Sequence, residues 1–185
     1  MLAPICLFVF DRPLHTKKVL SSLAENEESK NSILYIYSDG IPKNVSKERL
    51  NNIILTRKII SNEKRFKKIN LIINEKNRGL SNSLIKGISQ VCNKHNKVIV
   101  VEDDLIVNQF FLRYMNDALD KYQNNNKVGA ICGYFYPIEI NDNNSETFFL
   151  SYNSCWGWAT WKRSWNDFEI DGDILLKKIK LKSLE

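Results

Sequence analysis

Short apolar runs alternate along this chain with longer segments of helical periodicity, and this alternation constrains the fold more than any other feature of the sequence. The apolar runs lie at residues 5–10, 33–37, 71–73 and 98–101. Continuous runs of this kind are typical of strands buried on both faces. The intervening periodicity predicts helices at residues 14–23, 46–60, 80–91 and about 109–122. In the second helix we expect Leu50, Ile53 and Ile54 to face inward.

Strands that alternate with helices of this length predict right-handed βαβ units. The expected fold is therefore α/β and Rossmann-like, with a mostly parallel sheet and helices on both faces. After Gly129 the alternation weakens, and residues 128–132 and 147–150 are candidates for further strands on either side of a polar turn at 141–144. A length of 185 residues predicts one domain over residues 1–185.

Polar residues follow each of the predicted parallel strands. They are Asp11-Arg12, Ser38-Asp39, Asn77-Arg78 and Glu102-Asp103-Asp104. Ligands of open α/β sheets bind at the carboxyl ends of the strands. The sequence therefore predicts that these four groups lie along one edge and form the candidate site.

The acidic triplet Glu102-Asp103-Asp104 is the most specific of these signals. Three adjacent carboxylates after a buried strand repel one another, and a divalent cation would compensate for that repulsion. Mg²⁺ and Mn²⁺ prefer carboxylate oxygens, commonly one or two of them together with a substrate diphosphate. A solvated end of the strand with a helix-capping Asp is an equally good interpretation of the triplet alone.

The other three groups offer complementary chemistry. The Arg12 guanidinium is suited to a diphosphate, and Asp39 could accept hydrogen bonds from a nucleobase or a ribose. Arg78, in Asn77-Arg78-Gly79, is a similar candidate. Taken one by one, a surface Arg, a capping Asp and an ordinary turn are the simpler interpretations; their shared position at one edge favours a binding site.

All four Trp residues lie between Ser154 and Trp165. Aromatic rings of this kind can stack on the apolar faces of sugars, and core packing is the alternative. We expect both uses, with about two of the four rings at a ligand.

The net charge of +6 comes from dispersed Lys residues with local runs such as 64–68 and 177–182. A solvated surface explains these runs, and peripheral contact with an anionic membrane surface is the alternative. Because no aromatic residues are interleaved with them, nucleic acid is not expected as a partner. The chain contains no recognisable signal sequence and no apolar run of about 20 residues, so the sequence predicts a cytoplasmic location.

Four segments together resemble glycosyltransferases of the GT-A fold, most closely the N-acetylglucosaminyltransferase I-like group and its bacterial relatives. They are CLFVFDRP, YIYSDG, VIVVEDDLIVNQFFLRYMNDAL and SCWGWATWKRSW. The resemblance runs from about residue 4 to 168, and the Glu-Asp-Asp segment is its specific part.

The resemblance implies an inverting, metal-dependent transfer from a nucleotide-sugar donor, most simply a UDP-sugar, to a glycan or other acceptor in bacterial glycan biosynthesis. It places Arg12 at the diphosphate, Asp39 at the uracil, and Glu102 and Asp103 around the ribose and sugar. It also implies that Asp104 binds Mn²⁺ or Mg²⁺. Finally, it places the Gly-Trp segment with Trp156 and Trp158 at the donor sugar and acceptor.

The chain departs from that family in two respects. Ser83 stands near a position where the family has a nucleotide-binding His. The family's base is a carboxylate in a Trp-flanked segment beyond the Gly-Trp region, where this sequence offers only Asp167, Glu169, Asp171 and Asp173. We therefore expect a chain without its acceptor and base segment, in which Leu184-Glu185 is a cloning remnant and sugar transfer is poor. The alternatives are an inactive nucleotide-sugar or glycan-binding module, and a sugar nucleotidyltransferase.

Overall fold

The computed structural model describes residues 1–137 and 147–182. The predicted polar turn at 141–144 and the terminal Leu184-Glu185 lie outside these residues. The strands are β1 (Ile5–Val9), β2 (Ile33–Ser38), β3 (Lys68–Ile73), β4 (Lys97–Glu102), β5 (Ala130–Cys132) and β6 (Trp158–Trp161). The α-helices are α1 (Pro13–Ala24), α2 (Lys47–Ser61), α3 (Leu80–His95), α4 (Phe111–Lys121), α5 (Lys162–Trp165) and α6 (Gly172–Lys182). A 3₁₀ helix spans Glu27–Asn31.

The six strands form one sheet in the order β3-β2-β1-β4-β6-β5. The pairs β3-β2, β2-β1 and β1-β4 are parallel, whereas β6 is antiparallel to both β4 and β5. The predicted α/β fold with a mostly parallel sheet is therefore confirmed. The two antiparallel pairings are an addition that the alternation of strands and helices did not indicate.

Helices cover both faces of this sheet, as predicted. On one face, alternate residues of β1 and β4 pack against α1 and α4; the strand residues include Ile5, Leu7, Ile99 and Val101, and the helix residues include Leu20, Leu112 and Met115. On the other face, the intervening residues Cys6, Phe8, Val98 and Val100 pack against α3, which contributes Ile88 and Val91. Burial on both faces explains why β1 is apolar throughout.

Two local predictions are wrong. Residues 147–150 contain no strand in the structure, and Phe148, Phe149 and Leu150 are exposed. In α2, Ile53 is buried but Ile54 is 53% exposed. Successive positions on a helix are about 100° apart, so one narrow contact stripe cannot bury both. The described residues contain no helix long and apolar enough to cross a membrane.

The connections define a topological switch point between β1 and β4. The chain leaves β1 towards β2 and β3 on one side, and then returns across the sheet to place β4 on the other side of β1. Ligands of open α/β sheets bind at the carboxyl ends of the strands, next to such a reversal in strand order. Asp11-Arg12 and Glu102-Asp103-Asp104 occupy that position.

Candidate functional site at the carboxyl edge of the sheet

Arg12 and the acidic triplet meet at the switch point. The register pairs Phe8 with Glu102, so the residues that follow β1 and β4 come together. Arg12 Nη1 donates a hydrogen bond to Asp104 Oδ2 at 3.0 Å and lies 3.6 Å from Asp103 Oδ1. Both Arg12 and Asp104 are about half exposed, whereas the Asp103 side chain is only 11% exposed. The structure thus brings a cation and two carboxylates together at an edge open to ligand.

The triplet carries unfavourable electrostatics. Burial raises the pKa of Glu102, and the charges of Asp104 and Asp103 raise it further. Burial also raises the pKa of Asp103, against the opposing effect of Arg12. The repulsion predicted from the sequence is therefore present, and Arg12 offsets only part of it.

These raised pKa values give a testable pH dependence. The folded protein keeps protons on Glu102 and Asp103 at pH values where the unfolded chain has lost them. The stability that these two groups contribute is therefore fully present below the unfolded carboxyl pKa values and is lost as pH rises through the folded ones. We expect the melting temperature of Asp103→Asn to rise relative to that of the wild type as pH increases from about 4 to about 7.

Thermal melts in chelator at the two pH values check this result. Asp120→Asn serves as the control, because that carboxylate is exposed and pairs with Lys97. A wild-type advantage over Asp103→Asn that grows with pH would contradict the assignment.

Asp39 anchors a loop in this structure. Its carboxylate accepts hydrogen bonds from the backbone N–H groups of Gly40 (2.9 Å), Arg78 (3.1 and 3.0 Å) and Gly79 (2.9 Å), and from Asn74 Nδ2 (3.2 Å). These donors fill the acceptor sites of a carboxylate. A uracil or ribose donor would have to replace one of them, so the predicted contact with the nucleotide stays a prediction.

The same hydrogen bonds place a negative charge at the start of α3, where the helix dipole favours it. Gly79 is the N-cap residue of α3, with φ of 78°. Gly40 makes the docking of this loop possible, because a Cβ there would lie 2.1 Å from the Lys76 carbonyl carbon. The β3-α3 loop is therefore fixed against the end of β2.

Arg78 and Asp11, the other residues predicted at this edge, do not contact the acidic triplet through a hydrogen bond or ion pair seen among the described residues. Arg78 contributes its backbone N–H to Asp39, and its side chain is exposed beside Asn74 and Lys76. Asp11 does not face Arg12 but pairs with Arg49 of α2. The prediction that Arg78 contacts a nucleotide is compatible with its exposure and is not tested by it.

The four Trp residues have separate roles. Trp161 is buried and donates Nε1–H to the Leu119 carbonyl oxygen at 3.1 Å. Trp165 donates Nε1–H to Ser89 Oγ at 2.8 Å, and its ring lies 6.1 Å from that of the half-buried Trp158 on the α3 face. Only Trp156, which is 47% exposed, lies in an open cleft, where Leu105 and Tyr134 are among the other lining residues. Core packing thus accounts for most of the Trp-rich segment.

Within the described residues, the carboxylates beyond Trp165 are exposed or make local hydrogen bonds. Asp171 accepts hydrogen bonds from the backbone N–H groups of Asp173 and Ile174 at the start of α6, and Glu169 accepts one from the Asp171 N–H. Asp167 and Asp173 are exposed. We assign the role of catalytic base to none of them.

The donor set at the edge limits how a metal could be held. Within residues 1–137 and 147–182, no group of three or more His, Cys, Asp or Glu side chains is arranged to hold a metal ion. Asp104 and Asp103 supply two carboxylates near each other, through their shared contact with Arg12. This set fits a Mg²⁺ or Mn²⁺ ion that takes its other ligands from water and a diphosphate, and not a site built by protein alone.

Sequence reasoning missed three residues that shape this edge. Arg57 Nη2 donates to the Asp39 carbonyl oxygen at 2.9 Å, Asn74 holds the Asp39 carboxylate, and Arg49 holds Asp11. Two of the three lie on α2, where a basic residue looks like part of a solvated face. Only their position next to the loops after β1 and β2 identifies them.

Comparisons with known proteins add little about activity. No family model and no curated protein sequence matches the chain. Among solved structures, S. aureus TarS is similar at 15% identity with a TM-score of 0.47, over 66% of this chain and 20% of that chain. The structure of S. aureus TarS 1-349 is similar at 15% identity with a TM-score of 0.48, over 71% of this chain and 35% of that chain.

The chain therefore spans about a fifth and about a third of the length of those two chains. Similarity at this level carries no conclusion about what the chain binds. The resemblance to the N-acetylglucosaminyltransferase I-like group stays a prediction.

Proposed function

We propose that this chain binds a nucleotide-sugar, most simply a UDP-sugar, and belongs to a metal-dependent glycosyltransferase. The observation that carries the proposal is the position of Arg12, Asp103 and Asp104 at the switch point between β1 and β4. Open α/β sheets bind nucleotides at that position, at the carboxyl ends of the strands. A guanidinium next to two carboxylates supplies both kinds of group that a metal-bound diphosphate requires.

Each residue has a distinct part in this proposal. Arg12 is half exposed and can turn from Asp104 to the diphosphate oxygens. Asp104 would hold the cation, while the more buried Glu102 and Asp103 would accept hydrogen bonds from the ribose and the sugar. Asp39 would act on the nucleotide through the loop that it fixes, which presents Arg78 at the same edge.

The proposed reaction is a single displacement at the anomeric carbon with inversion. A bound Mg²⁺ or Mn²⁺ would supply the positive charge that stabilises the departing nucleoside diphosphate. Arg12 would add a second positive charge to the same leaving group. The base that takes the acceptor proton is not among the residues assigned here.

One observation favours a second candidate, a nucleotide-sugar-binding module without turnover. Every carboxylate between Trp165 and α6 is exposed or used in a local turn. A sugar nucleotidyltransferase is disfavoured, because the loop after β1 is Asp11-Arg12-Pro13 and contains no glycine to approach phosphates closely.

Titration calorimetry with UDP and uridine tests the proposal. We expect wild-type protein to bind UDP in Mn²⁺ and to lose most of that affinity in EDTA, because the cation links Asp104 to the diphosphate. Arg12→Ala should lower the affinity for UDP by about 10-fold, which is the ~1.4 kcal/mol expected for a charge-assisted hydrogen bond. The affinity for uridine should be nearly unchanged.

Lys97→Ala is the matched control, since it removes a cation paired with an exposed carboxylate remote from the carboxyl edge. UDP affinity that is equal in Mn²⁺ and EDTA would remove the metal from the proposal. If Arg12→Ala lost equal affinity for UDP and for uridine, Arg12 would not be at the phosphate site.

A further inference from the structure

A row of three residues on α2 meets the loops that follow β1 and β2. Arg49, Ile53 and Arg57 are spaced four residues apart, so they lie on one side of the helix. Ile53 is fully buried, which turns this side of the helix inward. Arg57 Nη2 donates to the Asp39 carbonyl oxygen after β2 at 2.9 Å. Arg49 pairs with Asp11 after β1, so α2 holds one loop at each of these neighbouring strands.

The position of Arg49 in the first turn of α2 is set by the helix cap. Ser46 is the N-cap residue, and its Oγ accepts a hydrogen bond from the Arg49 backbone N–H at 3.2 Å. The Arg49 guanidinium lies over the ring of Phe10, with 5.1 Å between Cζ and the ring centroid. A cation over the face of an aromatic ring is attracted to it. Arg49 therefore contacts two successive residues of the loop after β1, Phe10 and Asp11.

The two residues that Arg49 contacts immediately precede Arg12, and the connection from β1 to α1 is only residues 10–12. Burial raises the pKa of Asp103, and Arg12 and the Phe10 backbone N–H both oppose that rise, so both lie near the Asp103 carboxylate. On the other side of Arg12 the chain enters α1, where the Thr16 N–H donates to the Arg12 carbonyl oxygen at 2.9 Å. The backbone at Arg12 is thus held from both directions.

The Arg12 side chain needs this support to keep its direction. It is half exposed, and ion pairs as exposed as its contact with Asp104 contribute little. A diphosphate gains most from a guanidinium that already points at it, because ordering a long side chain on binding costs free energy. Fixing the residues before Arg12 restricts the directions in which its side chain can leave the backbone.

We propose that Arg49 is a positioning residue that holds Arg12 towards the diphosphate of the ligand. Arg49 acts through Asp11 and Phe10 and does not contact the ligand itself. The inference rests on the proposed function, because it takes a diphosphate as the partner of Arg12. The contacts that carry it belong to the free protein.

Calorimetric titration of Arg49→Ala with UDP and uridine in Mn²⁺ tests this role. We expect the affinity for UDP to fall by about fivefold, the upper limit for an exposed ion pair, and the affinity for uridine to stay nearly unchanged. A purely structural loss would lower both affinities. Arg49→Lys keeps the charge and should regain most of the affinity for UDP. Arg113→Ala is the matched control, because that guanidinium is 50% exposed, against 52% for Arg49, and pairs with Glu27 and Glu28 of the 3₁₀ helix.

Two double variants separate positioning from direct contact with the ligand. Asp11→Ala breaks the same ion pair, so Arg49→Ala combined with Asp11→Ala should lose no more affinity for UDP than the more affected single variant. In the Arg12→Ala background, Arg49→Ala should cause no further loss. Additive losses in either combination would show that Arg49 acts independently of this loop and would overturn the proposal.

NMR relaxation of the Arg12 Nε–H group, assigned by its loss in Arg12→Lys, gives a readout without ligand. We expect this group to move more on the picosecond-to-nanosecond timescale in Arg49→Ala than in the wild type. If the wild type failed to bind UDP but Arg49→Ala still loosened Arg12, the proposed function would fail and the positioning role would stand. If Arg49→Ala bound UDP as well as the wild type and Arg12 kept its order, the positioning role alone would be overturned.

Discussion

Asp104→Asn is expected to abolish the dependence of UDP binding on a divalent cation while leaving the fold intact. A carboxamide keeps the volume of the side chain but lacks the charge that a hard cation needs. In the free protein the substitution removes repulsion, because the charge of Asp104 raises the pKa values of Glu102 and Asp103. It also removes the ion pair with Arg12, which costs only about 0–1 kcal/mol because the pair is exposed.

Thermal melts with and without Mn²⁺ and UDP measure both effects. Wild-type protein should gain several degrees when Mn²⁺ and UDP are present together, since a ligand at about 100 times its Kd stabilises by ~2.7 kcal/mol. Asp104→Asn should melt at or above the wild-type temperature without ligand and gain nothing that depends on the metal. Asp120→Asn, which removes the carboxylate paired with Lys97, is the control and should keep the full gain. A metal-dependent gain in the melting temperature of Asp104→Asn would contradict the assignment of Asp104 as the metal ligand.

Asp39→Ala is expected to destabilise the protein by about 2–3 kcal/mol. The substitution removes hydrogen bonds to a charged acceptor and leaves the N–H groups of Gly40, Arg78 and Gly79 without their partner. It also removes the negative charge at the start of α3. Because the same loop presents Arg78 at the candidate site, affinity for UDP and for uridine should fall together.

Urea denaturation of Asp39→Ala and Asp11→Ala makes this comparison quantitative. Both Asp residues follow a parallel strand, but Asp11 has one exposed partner, Arg49, so its removal should cost less than about 1 kcal/mol. Amide hydrogen exchange should show faster opening of the loop between β3 and α3 in Asp39→Ala only. Equal destabilisation in the two variants would show that Asp39 does not anchor this loop.

The parallel strands and the polar residues that follow them could be predicted from the sequence, because the patterns that indicate them are local. The apolar run of β1 and the polar residues that follow β1 and β4 follow from burial and from the direction of the chain. The meeting of Arg12 with Asp103 and Asp104 could be predicted once both strands were known to be parallel and polar at their ends.

Features that depend on distant pairing could not be predicted in this way. The sequence predicts both core packing and ligand contact for the Trp-rich segment, but the position of Trp158 in a strand depends on its pairing with Val100, 58 positions earlier. The hydrogen bonds that fill the acceptor sites of the Asp39 carboxylate come from backbone N–H groups of another loop, and no pattern of side chains reveals them. The open cleft at Trp156 is likewise lined by Gly133 and Gly157, which are distant in sequence and joined by a backbone hydrogen bond.

The position of β6 between β4 and β5 has a consequence for the order in which the chain acquires its structure during synthesis. Every parallel pairing is available once residue 102 has been made, whereas the partner of β4 on its other side arrives only with residues 158–161. Until then, β4 is an uncovered edge strand with the sequence KVIVVE. Such an apolar edge is a template for pairing with another chain. A ribosome that pauses before Trp158 would therefore leave the nascent protein most exposed to aggregation, and the Trp-rich segment ends that exposure.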